Sequence, residues 1–222
     1  MTKRNARLEL GDRSRARICR ATLELLAERG FAGTTISAIA KRSGLPAGSL
    51  YWHFGNKGRL LTQVAEETAT EWLKLIPDWD ALKGSMPNRL QQMLRFIARG
   101  VEDQPEHVQL VMMLYLGAPK TDPVARRQVR MLRKASFAKL RPAAEALLDH
   151  LSLPRDETIV RKLTTFALAF CNGCAVNYRI EENSAELVAN LESLSVAWPA
   201  VAKELVAQAC ARNGIQARAL SR

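Results

Sequence analysis

Tyr51, Trp52, His53 and Phe54 stand side by side in a chain of which only 6% is aromatic. They follow directly on the small residues Pro46, Ala47, Gly48 and Ser49. A phenol, an indole and an imidazole can each reach a phosphate, a sugar or a thymine methyl. The small residues before them let a helix backbone approach a partner without side chains holding it off, with free N–H groups that favour phosphate. Lys57 follows a few residues later, and Lys41 and Arg42 come shortly before. Residues of these types at this spacing point to contact with a polyanion.

A second set of residues suggests other chemistry. Cys171 and Cys174 form a C-x-x-C pair within "FCNGC". The pair is read either as close helix packing by small residues or as a thiol site, which would make the chain a helical redox enzyme or sensor. His53, His107 and His150 offer no ligand spacing near it, so neither metal nor cofactor is expected. No Ser/His/Asp constellation or informative carboxylate pair occurs, and the chain is not expected to be an enzyme. Trp72, Met93, Phe96, Met112, Met113, Tyr115, Leu116, Phe137, Phe166 and Phe170 are of the types that line an adaptable apolar pocket, though ordinary core uses them too. Asn177 and Asn172 are polar exceptions in that setting, read as core bonds, contacts across a dimer axis, or ligand contacts.

Charge narrows the choice. The chain has 222 residues with a formal net charge of +11 and, over its first 65 residues, 12 Lys/Arg against 4 Asp/Glu. The remainder carries 21 against 18. A basic excess confined to one end favours nucleic acid over a general anionic attraction, and it disfavours a ligand-binding protein that has lost DNA binding. Arg4, Arg7, Arg13, Arg15 and Arg17 read either as a solvated arm or as one that tracks DNA. Four scattered cysteines suit a reducing cytoplasm. The N-terminus lacks an apolar signal core, and the apolar stretch from Leu163 to Val176 is interrupted by Thr164, Thr165, Asn172 and Gly173, so no membrane span is expected.

Helices have to position these residues. Nearly every segment repeats apolar residues at three- and four-residue steps, and no alternating run bounded by turns occurs, so the chain is read as all-α. A first helix from about Arg13 to Arg29 buries Ile18, Ala21, Leu25 and Leu26 and stops at Gly30. Thr34 and Thr35 offer caps to a short second helix, Ile36 to Ser43, with Ile36, Ile39 and Ala40 inward and Gly44 as its stop. Pro46 opens a third helix to about Phe54, anchored through Leu45, Leu50 and Phe54. Gly55 and Asn56 end it and cap a longer helix from Lys57 to about Leu75. The first broad break lies between Pro77 and Pro87. Further helices are expected near 88–103, 105–116, 122–150, 155–181 and 184–211, with a kink or split at Pro142 and a fraying tail.

The stretch "GFAGTTISAIAKRSGLPAGSLYWHFGNKGRLL" resembles the DNA-binding signature of the TetR family of transcriptional repressors. The likeness rests on Gly-Phe after helix one, Thr-Thr before helix two, Ile-Ala within it, and Tyr-x-x-Phe-x-x-Lys-x-x-Leu-Leu. It covers about residues 13 to 62. Gly58 departs from the acidic residue usual after the lysine. The resemblance implies a helix-turn-helix domain over 1–62 with a basic arm, and a larger helical ligand-binding and dimerisation domain over 63–222. It further implies a cytoplasmic homodimer that reads a palindromic operator and is released by a small, largely apolar inducer. Thr35, Tyr51, Trp52, His53 and Lys57 would meet the DNA backbone, Pro46, Ala47, Gly48 and Ser49 the base edges, and Lys41 and Arg42 further phosphates. The last two helices would form the dimer through Leu168, Cys171, Ala175, Leu187, Leu191, Leu194 and Trp198, with packing inside one chain as the competing explanation.

Overall fold

The computed structural model describes residues 3–104 and 123–212. Among them are eight α-helices and one 3-10 turn, and no strand. The expected helix at 105–116, which carries Met112, Met113, Tyr115 and Leu116, lies outside the described residues, as does the tail from residue 213 onward.

The first helix, α1 (Lys3–Gly33), begins well before Arg13. Residues 3–12 are mostly good helix formers without an apolar stripe, so they fold as helix yet leave no periodic signature. The helix bends at Gly30, whose φ of 64° is left-handed, and the Thr34 hydroxyl donates to the Gly30 carbonyl at 2.8 Å. Thr35 then caps α2 (Ile36–Ser43), its Oγ1 accepting from the Ala38 N–H at 3.1 Å. Gly44, at φ 65°, ends α2 and returns its N–H to the Ala40 carbonyl. Pro46 precedes α3 (Ala47–Phe54). Asn56 caps α4 (Lys57–Leu75) by accepting the Arg59 N–H at 2.9 Å.

The chain divides into two compact units, with α4 running from one into the other. The N-terminal unit takes in the chain to Glu71 and the start of α6 (Pro123–His150) as far as Leu132. Its core joins Ile18, Ala21 and Leu25 of α1, Ile39 of α2, Leu50 and Phe54 of α3, and Leu60 and Val64 of α4. Burying each large apolar side chain contributes roughly 1.5–3 kcal/mol, so the two from α3 hold that short helix on the unit. Beside this core, Val129 of α6 packs on Leu26 and Leu61.

The second unit comprises Trp72–Asp103 and the chain from Arg133 onward. Here α5 (Met86–Asp103), α7 (Glu157–Glu181) and α8 (Ser184–Arg212) pack together. The segment before α5 is tied down by long basic side chains. Arg89 lies over the buried Trp79 ring at 4.4 Å, and Lys139 donates to the Ile76 carbonyl at 3.0 Å. Of the kink or split expected at Pro142, the split does not occur, and α6 continues as one helix through that residue. By length and composition α7 is apolar enough to cross a membrane, but half of its most apolar stretch is buried inside the protein. The Trp198 indole of α8 donates to the Leu163 carbonyl of α7 at 3.1 Å.

Candidate nucleic-acid interface

Two turns of helix decide which residues α3 offers. Leu50 and Phe54, four apart, point into the core, which leaves Tyr51 53% and Trp52 79% exposed. Pro46, Ala47 and Gly48 are exposed at the start of the helix, and Ser49 and His53 are half-buried on its flanks. Trp52 and His53 meet edge to face with ring centroids 4.6 Å apart. A Cβ built on Gly48 would meet no atom within 4 Å. The face is therefore low at its N-terminal end and built up with aromatic side chains at the other, as the residue types indicated.

The flanking candidates divide. Thr35 is exposed and its hydroxyl already serves the α2 cap. Lys57 stands half-buried in the first turn of α4, and Lys41 is exposed at the end of α2. Arg42, expected to meet a phosphate, is exposed but engaged within the unit. It makes a two-pronged pair with Glu28 at 2.8 and 2.7 Å and reaches Glu24 at 3.1 Å, so it ties α2 to α1. This hydrogen bonding raises the Arg42 pKa and holds Glu28 below the usual carboxylate range. Arg15 and Arg17 are likewise engaged, with Glu67 and with the Ser43 carbonyl, and are not a loose arm.

Sequence reasoning missed Arg59. A cleft of about 470 Å³ runs beside α3, lined by Tyr51, Trp52, His53, Gly55, Arg59 and Gln63 among others. Arg59 folds toward Gly55, its Nη1 3.5 Å from where a Cβ on that glycine would lie. Its only sequence signal is a cation two residues after Lys57, on a helix whose first turn has no acidic residue.

In the second unit the expected pocket residues do not share one environment. Met93 is fully buried core, whereas Phe96 is 40% exposed. Phe166 and Phe170 stack on each other at 6.3 Å, Trp72 and Phe137 are half-buried, and Asn177 is exposed. Trp72 lies against Gly100, where a Cβ would come within 2.7 Å of its Nε1.

Leu168, Cys171, Ala175, Leu187, Leu191, Leu194 and Trp198, expected either at a dimer interface or in packing inside one chain, are all buried within the single chain, where α7 packs on α8. An apolar stripe marks the face a helix buries first, and here that face is satisfied internally. The outward faces of these helices carry Ile180, 69% exposed, and Val196, 78% exposed. Burial pushes the Cys171 thiol up to about 12 and also raises Cys174, so both stay protonated at neutral pH, which is the wrong state for thiolate chemistry. Among the described residues no cluster of three or more His, Cys, Asp or Glu could hold a metal ion.

A three-helix core with a glycine turn before an exposed, small-then-aromatic helix is the helix-turn-helix arrangement of DNA-binding proteins. Residues 18–64 match the family described as "Bacterial regulatory proteins, tetR family". It is 44% identical over 54 residues to the class A tetracycline repressor of transposon 1721 from Escherichia coli, a match covering 24% of this chain and 25% of that repressor. A longer match, 28% identical over 139 residues, joins it to the regulator BetI of Stenotrophomonas maltophilia and covers 61% of this chain and 69% of BetI. Its fold is that of the Bacillus subtilis regulator FadR, solved with stearoyl-CoA, at a TM-score of 0.62 and 19% identity over 86% of this chain and 97% of FadR.

Proposed function

We propose that the chain is a sequence-specific DNA-binding transcriptional regulator, acting in the cytoplasm as a homodimer and released from a palindromic operator by a small, largely apolar inducer. The observation that carries this reading is the exposed face of α3, held by Leu50 and Phe54 within a tetR-type domain. Pro46, Ala47, Gly48 and Ser49 approach base edges, while Thr35, Tyr51, Trp52, His53 and Lys57 contact sugar and phosphate. Lys41 adds a flanking charge. With no long hydrogen-bonding side chain at residues 47 and 48, base readout leans on close backbone approach, methyl contacts and DNA shape.

The dimer forms through the outward faces of α7 and α8, around Ile180 and Val196. Gly173, with nothing within 4 Å of a Cβ built on it, lets a second helix come close. Inducer binding favours a conformer of the dimer whose reading helices are wrongly spaced, which is a population shift and not competition for DNA. The stearoyl-CoA bound by FadR supports a ligand with a long apolar part.

Gel-shift titration against the DNA upstream of the chain's own gene tests the reading. Tyr51→Ala and Lys57→Ala are expected to weaken binding, and wild-type affinity in both would mean that the reading surface lies elsewhere.

A further inference from the structure

We infer that Arg15 and Arg17 are positioning residues of the DNA-reading helix, pinning its two ends from α1. The inference rests on the DNA-binding reading above and names what aims α3. Arg17 works at the start. Its Nη2 donates to the carbonyl of Ser43, the last residue of α2, at 2.6 Å. That carbonyl is one of the groups a helix end leaves without an intrahelical donor, and a cation there also complements the negative end of the helix dipole. The next residue is the left-handed Gly44. Arg17 thus fixes the turn that delivers Pro46 and Ala47 to the exposed face.

Arg15 works at the other end. Its guanidinium pairs with Glu67 of α4 and lies 5.7 Å from the ring centroid of Phe54, the last residue of α3. Glu67 is held a second time from α1, by the Cys19 thiol donating to Oε2 at 3.7 Å. Arg15 therefore joins α1, the end of α3 and α4 at one point.

A helix of eight residues is only about 12 Å long and does not form stably alone. A shift of about 1 Å at one end tilts it by about 5° over that length, enough to spoil hydrogen bonds to bases. A planar guanidinium suits such a tie, since its fork loses little freedom per bond formed. Both arginines belong to the basic N-terminal stretch whose charge suggests DNA tracking, yet each guanidinium is engaged by a partner within the unit.

The test uses the full chain and a duplex that the wild-type protein selects from a random-sequence pool, beside an unrelated duplex. Arg15→Gln and Arg17→Gln are expected to weaken binding to the selected duplex on the order of tenfold, the worth of about one base contact. Affinity for the unrelated duplex and the slope of log affinity against log salt stay at wild-type values. Amide exchange rises in residues 51–57 for Arg15→Gln and in residues 43–50 for Arg17→Gln. A salt slope shallower by about 0.9 per arginine, with both affinities falling together, would make them direct phosphate contacts and overturn the inference. Unchanged exchange in both segments would overturn it equally. A pool that yields no preferred sequence counts against the DNA-binding reading, and the exchange measurement then decides the positioning role alone. Should Arg17→Gln fail to fold, Arg17→Ala carries the same test, because it removes the donor to Ser43 and the charge while keeping good helix propensity.

Discussion

Gly48→Ala separates what α3 needs for folding from what it needs for reading DNA. In the free protein a Cβ at residue 48 meets nothing within 4 Å, and the residue is exposed on helical backbone. Alanine in place of glycine stabilises a helix interior by about 0.5–1 kcal/mol, with less in a first turn. For a chain of this size that gain raises the unfolding midpoint by about 1–3 °C. If α3 seats its small end against base edges, the added methyl occupies space that the DNA needs. A clash on the scale of one lost base contact, about 1–3 kcal/mol, weakens binding roughly 5- to 150-fold. Thermal unfolding by circular dichroism and fluorescence anisotropy with the selected duplex measure the two effects on one preparation. The expected result is opposite signs, with the melt rising and the affinity falling. Affinity equal to wild type or better would refute the close approach of residue 48 and move base reading to the aromatic end of the helix.

Other expectations follow from packing, surface and charge. Trp198→Phe removes a buried N–H donor to Leu163 and leaves a gap at a site with 0% exposure, which should cost about 1–3 kcal/mol in urea unfolding. Gly100→Ala puts a Cβ 2.7 Å from the Trp72 indole nitrogen and should destabilise by about 1–3 kcal/mol, visible as a lower urea midpoint. Ile180→Asp combined with Val196→Asp should turn the dimer into a monomer by sedimentation, and an intact dimer would place the interface elsewhere. Glu28, Asp149 and Glu157 are each held below their ordinary pKa by hydrogen bonds from Arg42, Arg155 and Arg141. Because the folded values are depressed, the stabilisation is complete above the ordinary carboxylate range and is lost as pH falls through the lowered values. Urea midpoints measured from pH 7 to pH 3 should therefore decline, and Arg141→Gln should flatten part of that decline.

The helix ends from α2 to the start of α4 were largely legible because their signals are local. Thr35, Gly44, Gly55 and Asn56 each act on backbone within three or four residues, so their types alone mark where α2, α3 and α4 begin and end. The exposed face of α3 was legible for the same reason, once Leu50 and Phe54 were placed inward. The ties of Arg15, Arg17 and Arg42 were not, because their partners Glu67, Ser43 and Glu28 lie 52, 26 and 14 residues away. An arginine bound to a carbonyl and one bound to a phosphate look the same in sequence. In α7 and α8 the periodicity announced a buried face correctly, but periodicity carries no record of whether a neighbouring helix or a second chain does the burying. The start of α1 was missed because a polar helix has no stripe to read.

Gly44 has a consequence for how this turn can vary. Asparagine is the usual substitute where backbone is left-handed, and on φ alone it would be tolerated. Here a Cβ at residue 44 would lie 2.9 Å from the Arg17 Nη2, so the guanidinium would have to shift, which is expected to weaken its bond to Ser43. Gly44→Asn and Arg17→Gln thus act on the same bond, and the double variant should lose less than the sum of the two. The two positions are epistatic, and a lineage that gives up the arginine first gains freedom at residue 44 that this chain does not have.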